Sequence, residues 1–315
     1  MTEPIGLSTS WNGPGSNPQH LLEQDRGLGF RRLEAYAHFS HDALLALASE
    51  AAKRDMHIGS LHGPCPVPSG QNGYPAPIGD WLASTNSSER TRSVDALRGT
   101  IDAAVEVGAT AIVVHLGNSG VVSRQNAMLD IIARYGRLSD EHLRLRDTAW
   151  QEREAVKGAH LDAALQSMRA LGEHAVGSGV RLGVECRDNY VEIPSLDEFA
   201  TVLSACDGLP VGYWHDAGHG AKLDYLGFLR HEEFLRRYGQ QIVGMHIHDT
   251  RAGRDHLAPG QGSTDFGMLA PYLLGDTIRT LELHRVVTAA EISQALDLLE
   301  PLGVFGVREG ILVEL

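Results

Sequence analysis

Residues 242–249 read Ile-Val-Gly-Met-His-Ile-His-Asp, and residues 211–219 read Val-Gly-Tyr-Trp-His-Asp-Ala-Gly-His. In both, a short run suited to a buried strand leads directly into histidine and aspartate. A strand that is apolar along its length and polar at its C-terminal end belongs to a parallel α/β architecture, where functional groups collect at that end. The pattern recurs elsewhere. Val180–Val184 runs into Glu185, Thr277–Leu281 into Glu282, Ala111–Val114 into His115 and His57–Leu61 into His62. Ile5–Trp11 and Arg31–Tyr36 add two more strands, which makes eight. Glu185, Asp216, His246 and Glu282 follow one another at about one βα unit, roughly 30–36 residues.

Helical segments separate most of these strands. Apolar residues recur at helical spacing over 42–51, 89–107, 153–176, 226–238, 266–274 and 288–299. Gly108, Gly177 and Gly179 supply stops, and Ser195-Leu-Asp-Glu198 reads as a capping box. Alternating βα units imply a parallel sheet. Eight of them, with no glycine-rich dinucleotide fingerprint after the first, favour a closed (β/α)8 TIM barrel over a doubly wound sheet. The expectation is a single domain over residues 1–315, with long loops after strands three (63–88) and four (117–152). Loops of that length usually serve function, and both fall on the active-site face. The second carries Arg124, Arg134, Arg137, Arg144 and Arg146, either a solvated helix face or a phosphate clamp.

Composition narrows the function classes. The 315 residues carry 27 Lys+Arg against 40 Asp+Glu, a net charge of −13, which weighs against nucleic acid or anionic membrane as partner. No run of 18 apolar residues predicts a membrane span. The opening residues lack the basic and apolar regions of a secretory signal. Three cysteines, Cys65, Cys186 and Cys206, suggest no disulfide framework, so a reducing cytoplasm is expected. A homo-oligomer is compatible with the sequence.

In a barrel, His62, His115, Glu185, Asp216, His246 and Glu282 would ring one mouth. Several carboxylates facing one another repel unless a cation holds them, and histidine among the ligands suits Zn²⁺ or Mn²⁺ better than a Mg²⁺ or Ca²⁺ cage. One to three ions per chain are compatible with so many donors. His248 lies two residues from His246 on the same strand face, so periodicity cannot choose between them. His219, Asp255 and His256 lie close by in sequence, and Gly260 and Gly262 would allow close backbone approach to a ligand. Trp11 is either core or a wall on which a sugar stacks. Glu34, ending strand two, is a partner for a ligand or for an arginine.

Val184-Glu185, His215-Asp-Ala-Gly-His219, Gly244-Met-His-Ile-His-Asp249, Asp255-His256 with Pro-Gly-Gln-Gly262, and Leu281-Glu282-Leu together resemble the xylose isomerase-like barrel superfamily over roughly residues 5–300. That superfamily holds sugar isomerases and epimerases and the endonuclease IV-type nucleases. The resemblance implies a shared metal on Glu185, Asp216, His246 and Glu282. It implies proton transfer by Glu185 and Glu282, and substrate contact by His219 and by Arg251 or Arg254, with Asp255 and His248 beside them. The nuclease branch implies further metal ligands at His62, His115, His219 and His256, but it has Asp at the position of Arg254. The expected function is metal-dependent isomerisation or epimerisation of a small sugar-like substrate. The alternatives are a dehydratase or lyase on a keto-polyol or 3-keto-glycoside, and a zinc phosphodiesterase.

Overall fold

In a computed structural model, which describes residues 5–67, 77–273 and 275–305, the expected barrel closes. Its strands are β1 (Gly6–Ser8), β2 (Arg32–Ala35), β3 (His57–His62), β4 (Ala111–Val114), β5 (Arg181–Glu185), β6 (Val211–Asp216), β7 (Ile242–Ile247) and β10 (Ile278–Leu281). All pair in parallel in chain order, and β10 closes on β1. A short antiparallel hairpin, β8 (Asp249–Arg251) with β9 (Arg254–Leu257), follows β7 outside the barrel.

Strand alternation explains both the core and the mouth. On β4, Ile112 and Val114 pack outward into the main apolar core under the helices, whereas Ala111 and Val113 join a smaller inner cluster. That inner cluster is centred on Trp214, which is completely buried. Register aligns Glu185 with Trp214, Trp214 with Gly244, and Asp216 with His246. Gly183, Trp214 and Gly244 each lie two residues before Glu185, Asp216 and His246 on their own strands, and so share the same inward face. The two glycines make room for the indole. A β-carbon on Gly183 would lie 2.7 Å from Trp214 Cε3, and one on Gly244 would lie 2.3 Å from Cζ3. Gly244→Ala should therefore lower stability by roughly 1–3 kcal/mol through overpacking. It should also disturb His246, whose ring lies edge-on to Trp214 at 5.0 Å. Denaturant unfolding checks the first effect; an unchanged midpoint would refute the packing account.

The helices are α1 (Pro18–Gly27), α2 (His41–Ala52), α3 (Ser87–Val107), α4 (Gln125–Tyr135), α5 (Asp140–Ala175), α6 (Glu198–Ala205), α7 (Ala217–Leu226), α8 (Glu232–Tyr238) and α9 (Ala289–Leu299). Capping follows the sequence: Asn17, Ser40, Asn86 and Ser139 each accept a backbone N–H, and Thr288 with Glu291 forms a full capping box. Four expectations change. The segment 117–152 is mostly helix, not loop. It contains α4 and the first turns of the 36-residue α5, whose charged surface hides its period. Its arginines form a solvated face: Arg124 pairs with Glu152 at 2.7 Å, Arg144 with Asp140 at 3.6 Å and Arg146 with Asp147 at 2.7 Å. α1 escaped the sequence reading because its buried apolar residues are only Leu21 and Leu22. Within the segment 226–238 only α8 is helical: α7 ends at Leu226, with Gly227 in left-handed backbone after it. Residues 266–272 form two 3-10 turns instead of one helix. Of the loop 63–88, residues 68–76 lie outside the described residues, as do 306–315 of the expected tail.

Ser195-Leu-Asp-Glu198 is only half a capping box. Ser195 N–H donates to Glu198 Oε2 at 2.8 Å, but α6 has no side-chain cap. The Glu198 carboxylate is engaged instead by Arg153 of α5, at 2.8 and 2.7 Å through both guanidinium nitrogens.

Candidate metal centre

The C-terminal ends of five barrel strands converge on His246. Glu185, Asp216, His246 and Glu282 each present one ligand atom, and these atoms lie within 4.8 Å of one another. All four side chains are buried. His246 Nδ1 faces the three carboxylates, with Glu185 Oε1 at 2.6 Å, Glu282 Oε2 at 3.0 Å and Asp216 Oδ2 at 3.6 Å. Its Nε2 faces Glu34 at 3.0 and 3.1 Å, and Ser60 donates to Glu34 at 2.9 Å. A carboxylate behind a ligand histidine fixes its ring and raises its basicity. Glu34, left open between two partners by the sequence, is therefore the orienting group of His246.

The electrostatics call for positive charge at this point. Burial disfavours a charged His246, but Glu282 and Glu34 outweigh it and hold the imidazole well above its ordinary pKa. Burial likewise opposes ionisation of Glu185 and Glu282. Arg187 and His115 still hold the first well below the usual carboxylate range, and His246 and His256 do so for the second. Among the described residues, Asp216 Oδ2 is buried with no hydrogen-bond partner. Three buried carboxylates, one oriented imidazole and an orphaned carboxylate oxygen form a donor set that fits a divalent cation with mixed N/O preference.

Of the three smaller groups among the described residues, Asp255, His256 and His284 form the outermost, and the other two flank this one. His62, His115 and Glu185 form the first. Burial, then His115, lowers the His62 pKa to about 4, so this ring is a neutral donor near pH 7. His219, His248 and His256 form the second. His219 N–H donates to Asp216 Oδ1 at 2.7 Å and so caps α7, while its Nδ1 lies 3.1 Å from the Cys186 carbonyl. His248 accepts the His256 N–H at Nδ1 (2.9 Å), and its Nε2 lies 2.8 Å from Asp216 Oδ1. His246 is thus the histidine inside the four-atom cluster, and His248 stands behind Asp216. The His256 ring stacks between His248 at 4.2 Å and His284 at 4.5 Å, with backbone φ of +54°. Asp255 and Glu282 overcome its burial and push its pKa up to about 10.

Other candidates fall farther from the cluster. Arg251 and Arg254 face solvent on the β8–β9 hairpin. Asp255 pairs with Lys222 at 2.9 Å, and Lys222 also meets Asp188. Trp11 is half-buried against the main core, and its indole N–H donates to the Val287 carbonyl at 2.7 Å. Gly260 and Gly262 approach a side chain of the protein: their N–H groups donate to Asp249 Oδ2 at 2.9 and 2.7 Å. A β-carbon on Gly262 would sit 2.4 Å from Asp249 Oδ1. Asp249 thereby ties the loop after β9 to the end of β7.

The sequence reading missed Arg187. Its Nη1 lies 2.5 Å from Glu185 Oε2 and 2.8 Å from His115 Nε2, and its Nε donates to Glu192 at 2.9 Å. The available signal was its position two residues after Glu185, which places both on one side of an extended chain.

The likeness to known proteins extends over the whole barrel. One solved structure, a putative xylose isomerase from Rhodospirillum rubrum, superposes with a TM-score of 0.70 at 16% identity, over 94% of this chain and 98% of that one. The 3-keto-D-glucoside 4-epimerase YcjR of E. coli gives 0.67 at 16% identity, over 95% and 99%. D-psicose 3-epimerase from Clostridium cellulolyticum H10 gives 0.66 at 13% identity, over 96% and 99%. Among curated sequences, the uncharacterized protein y4fM of Sinorhizobium fredii (strain NBRC 101917 / NGR234) is 21% identical over 283 residues, covering 83% of this chain and 78% of its own. The model of the xylose isomerase-like TIM barrel family matches residues 26–302, which contain all four converging ligands, and the chain belongs to that family.

Proposed function

We propose that this protein is a metal-dependent sugar isomerase or epimerase. The observation that carries the reading is the buried, mutually facing set Glu185, Asp216, His246 and Glu282, with Glu34 orienting His246. A divalent ion held there supplies Lewis acidity to adjacent substrate oxygens and so acidifies the carbon beside them. Glu185 and Glu282 come from strands on either side of His246 and are the two carboxylates placed to move protons. They differ in freedom. Glu185 is engaged by Arg187, His115 and His246, whereas Glu282 meets His246 at 3.0 Å, His256 at 3.6 Å and His62 at 4.0 Å. The less encumbered Glu282 takes the proton from the substrate carbon, and Glu185 or a group oriented by it returns one. His219 and His256 border the same space and supply hydrogen bonds to substrate hydroxyls. Sugar epimerases of the same fold, such as the 3-keto-D-glucoside 4-epimerase and the D-psicose 3-epimerase, support the substrate class.

The test is solvent exchange. Chelator-treated protein reloaded with Mn²⁺ or Zn²⁺ is incubated in heavy water with ketoses, keto-polyols and 3-keto-glycosides. Deuterium at one carbon of a recovered sugar is the expected result. Loss of water or of an aglycone would move the assignment to dehydratase or lyase. Metal-loaded protein that exchanges no substrate proton but cleaves abasic duplex DNA would replace it with the phosphodiesterase reading.

Metal removal should also be visible without substrate. Filling the site at about 100 times the dissociation constant stabilises by about 2.7 kcal/mol, so adding Zn²⁺ or Mn²⁺ to stripped protein should raise Tm by roughly 5 °C. Asp216→Asn should abolish most of that rise. An unchanged melting curve on metal addition counts against the site.

A further inference from the structure

We propose that Arg187 is a built-in cation that occupies the place of a second metal ion beside the first, so that no divalent ion binds across His62, His115 and Glu185. This rests on the metal-centre reading above. The three donors of that group converge within 4.8 Å, close enough to bind one ion. Two of the three already share one N–H group: Glu185 Oε2 lies 2.5 Å and His115 Nε2 lies 2.8 Å from Arg187 Nη1. His115 is engaged on its other sides as well: its Nε2 also lies 2.8 Å from Glu185 Oε2, and Asp80 Oδ1 lies 3.4 Å from its Nδ1. That ring nitrogen and that carboxylate oxygen are what an ion would need.

A guanidinium cannot be neutralised to make way, because it stays protonated in proteins. It is also held from the outside. Arg187 Nε donates to Glu192 Oε1 at 2.9 Å, Asn189 N–H donates to Glu192 Oε2 at 3.1 Å, and Arg153 donates to the Glu192 carbonyl at 2.8 Å. A divalent ion on the same donors would face this fixed charge at contact range in a buried site. The device supplies the positive charge that Glu185 needs on its second oxygen without a second ion. One ion suits polarising a neutral sugar; a pair of ions is the usual clamp for the two charged oxygens of a phosphodiester displacement.

Elemental analysis of protein loaded with excess Zn²⁺ and freed of loose metal by gel filtration tests this. Arg187→Ala should hold one more ion per chain than the wild type. Arg187→Lys, which keeps the charge, should match the wild type, and Arg187→Ala/His115→Ala should return to the wild-type count. A folded R187A protein with no added ion overturns the proposal. Wild-type crystals soaked in Zn²⁺ decide the matter even where R187A fails to fold. An anomalous peak between His62, His115 and Glu185, with Arg187 displaced towards the cavity of about 290 Å³ lined by Trp150, Tyr190 and Phe228, also overturns it. A peak only at Glu185, Asp216, His246 and Glu282 supports it. A wild type with no ion at those four residues sinks the metal-centre reading itself, which is a different result from either.

Discussion

Glu185→Gln is expected to lower turnover by about 10³-fold or more, read as the rate of solvent deuterium incorporation into the substrate sugar. The substitution keeps shape and volume but removes the charge that three neighbouring groups face. Glu185 faces His246 at 2.6 Å, His115 at 2.8 Å and Arg187 at 2.5 Å, and its carboxylate is one of the four converging ligands. The loss therefore has two sources, weaker metal binding and a missing proton carrier. Glu282→Gln separates them. Among the described residues its carboxylate has no arginine partner, so its exchange rate should fall by about 10²–10⁴ when measured at metal concentrations that restore occupancy. Metal content, measured on the same samples, assigns each loss. Exchange at the wild-type rate by metal-loaded E282Q would remove Glu282 from the proton-transfer role.

Arg153→Ala should destabilise the barrel by about 3–5 kcal/mol, the usual cost of leaving a buried charge without its partner. Arg153 is fully buried and Glu198 nearly so. Its guanidinium meets both Glu198 oxygens at 2.8 and 2.7 Å and donates to the Glu192 carbonyl at 2.8 Å. Removing it strands the Glu198 carboxylate beside only Lys157 at 3.0 Å and the Ser195 N–H. At roughly 2 °C or more per kcal/mol, Tm should fall by about 6–10 °C. The double change Arg153→Met with Glu198→Leu should recover much of that loss, because it removes both charges and keeps apolar volume. A single variant that melts within a degree of the wild type would show that water reaches Glu198 freely. Since Arg153 also holds the backbone of Glu192, which anchors Arg187, R153A is expected to weaken the metal centre as well.

The barrel was legible because its signal is local and repeated. Six of the eight strands are short runs with a metal-capable residue at the end, and strand alternation then dictates which side chains share the mouth. The same arithmetic places Trp214 below Asp216 and Gly244 below His246. The helices were less legible where local signal was weak. α1 buries few apolar side chains, and the front of α5 is charged on most of its surface, so neither shows a clean period. Residue type failed at Gly260 and Gly262, which suggested approach to a ligand. The group they approach is the Asp249 carboxylate, a contact between segments that no local pattern encodes.

By itself, then, the sequence determined the barrel and placed Glu185, Asp216, Glu282 and the His246/His248 pair at one end of it, since these follow from a period of two along strands and one βα unit between them. Tertiary structure alone decided the pairings. It set His246, not His248, among the carboxylates; it turned Glu34 onto His246; it placed Arg187 between Glu185 and His115; and it left Arg251 and Arg254 in solvent. Those choices depend on side-chain directions and on contacts between strands distant in the chain. Periodicity fixes the face a residue occupies but not which partner it meets there.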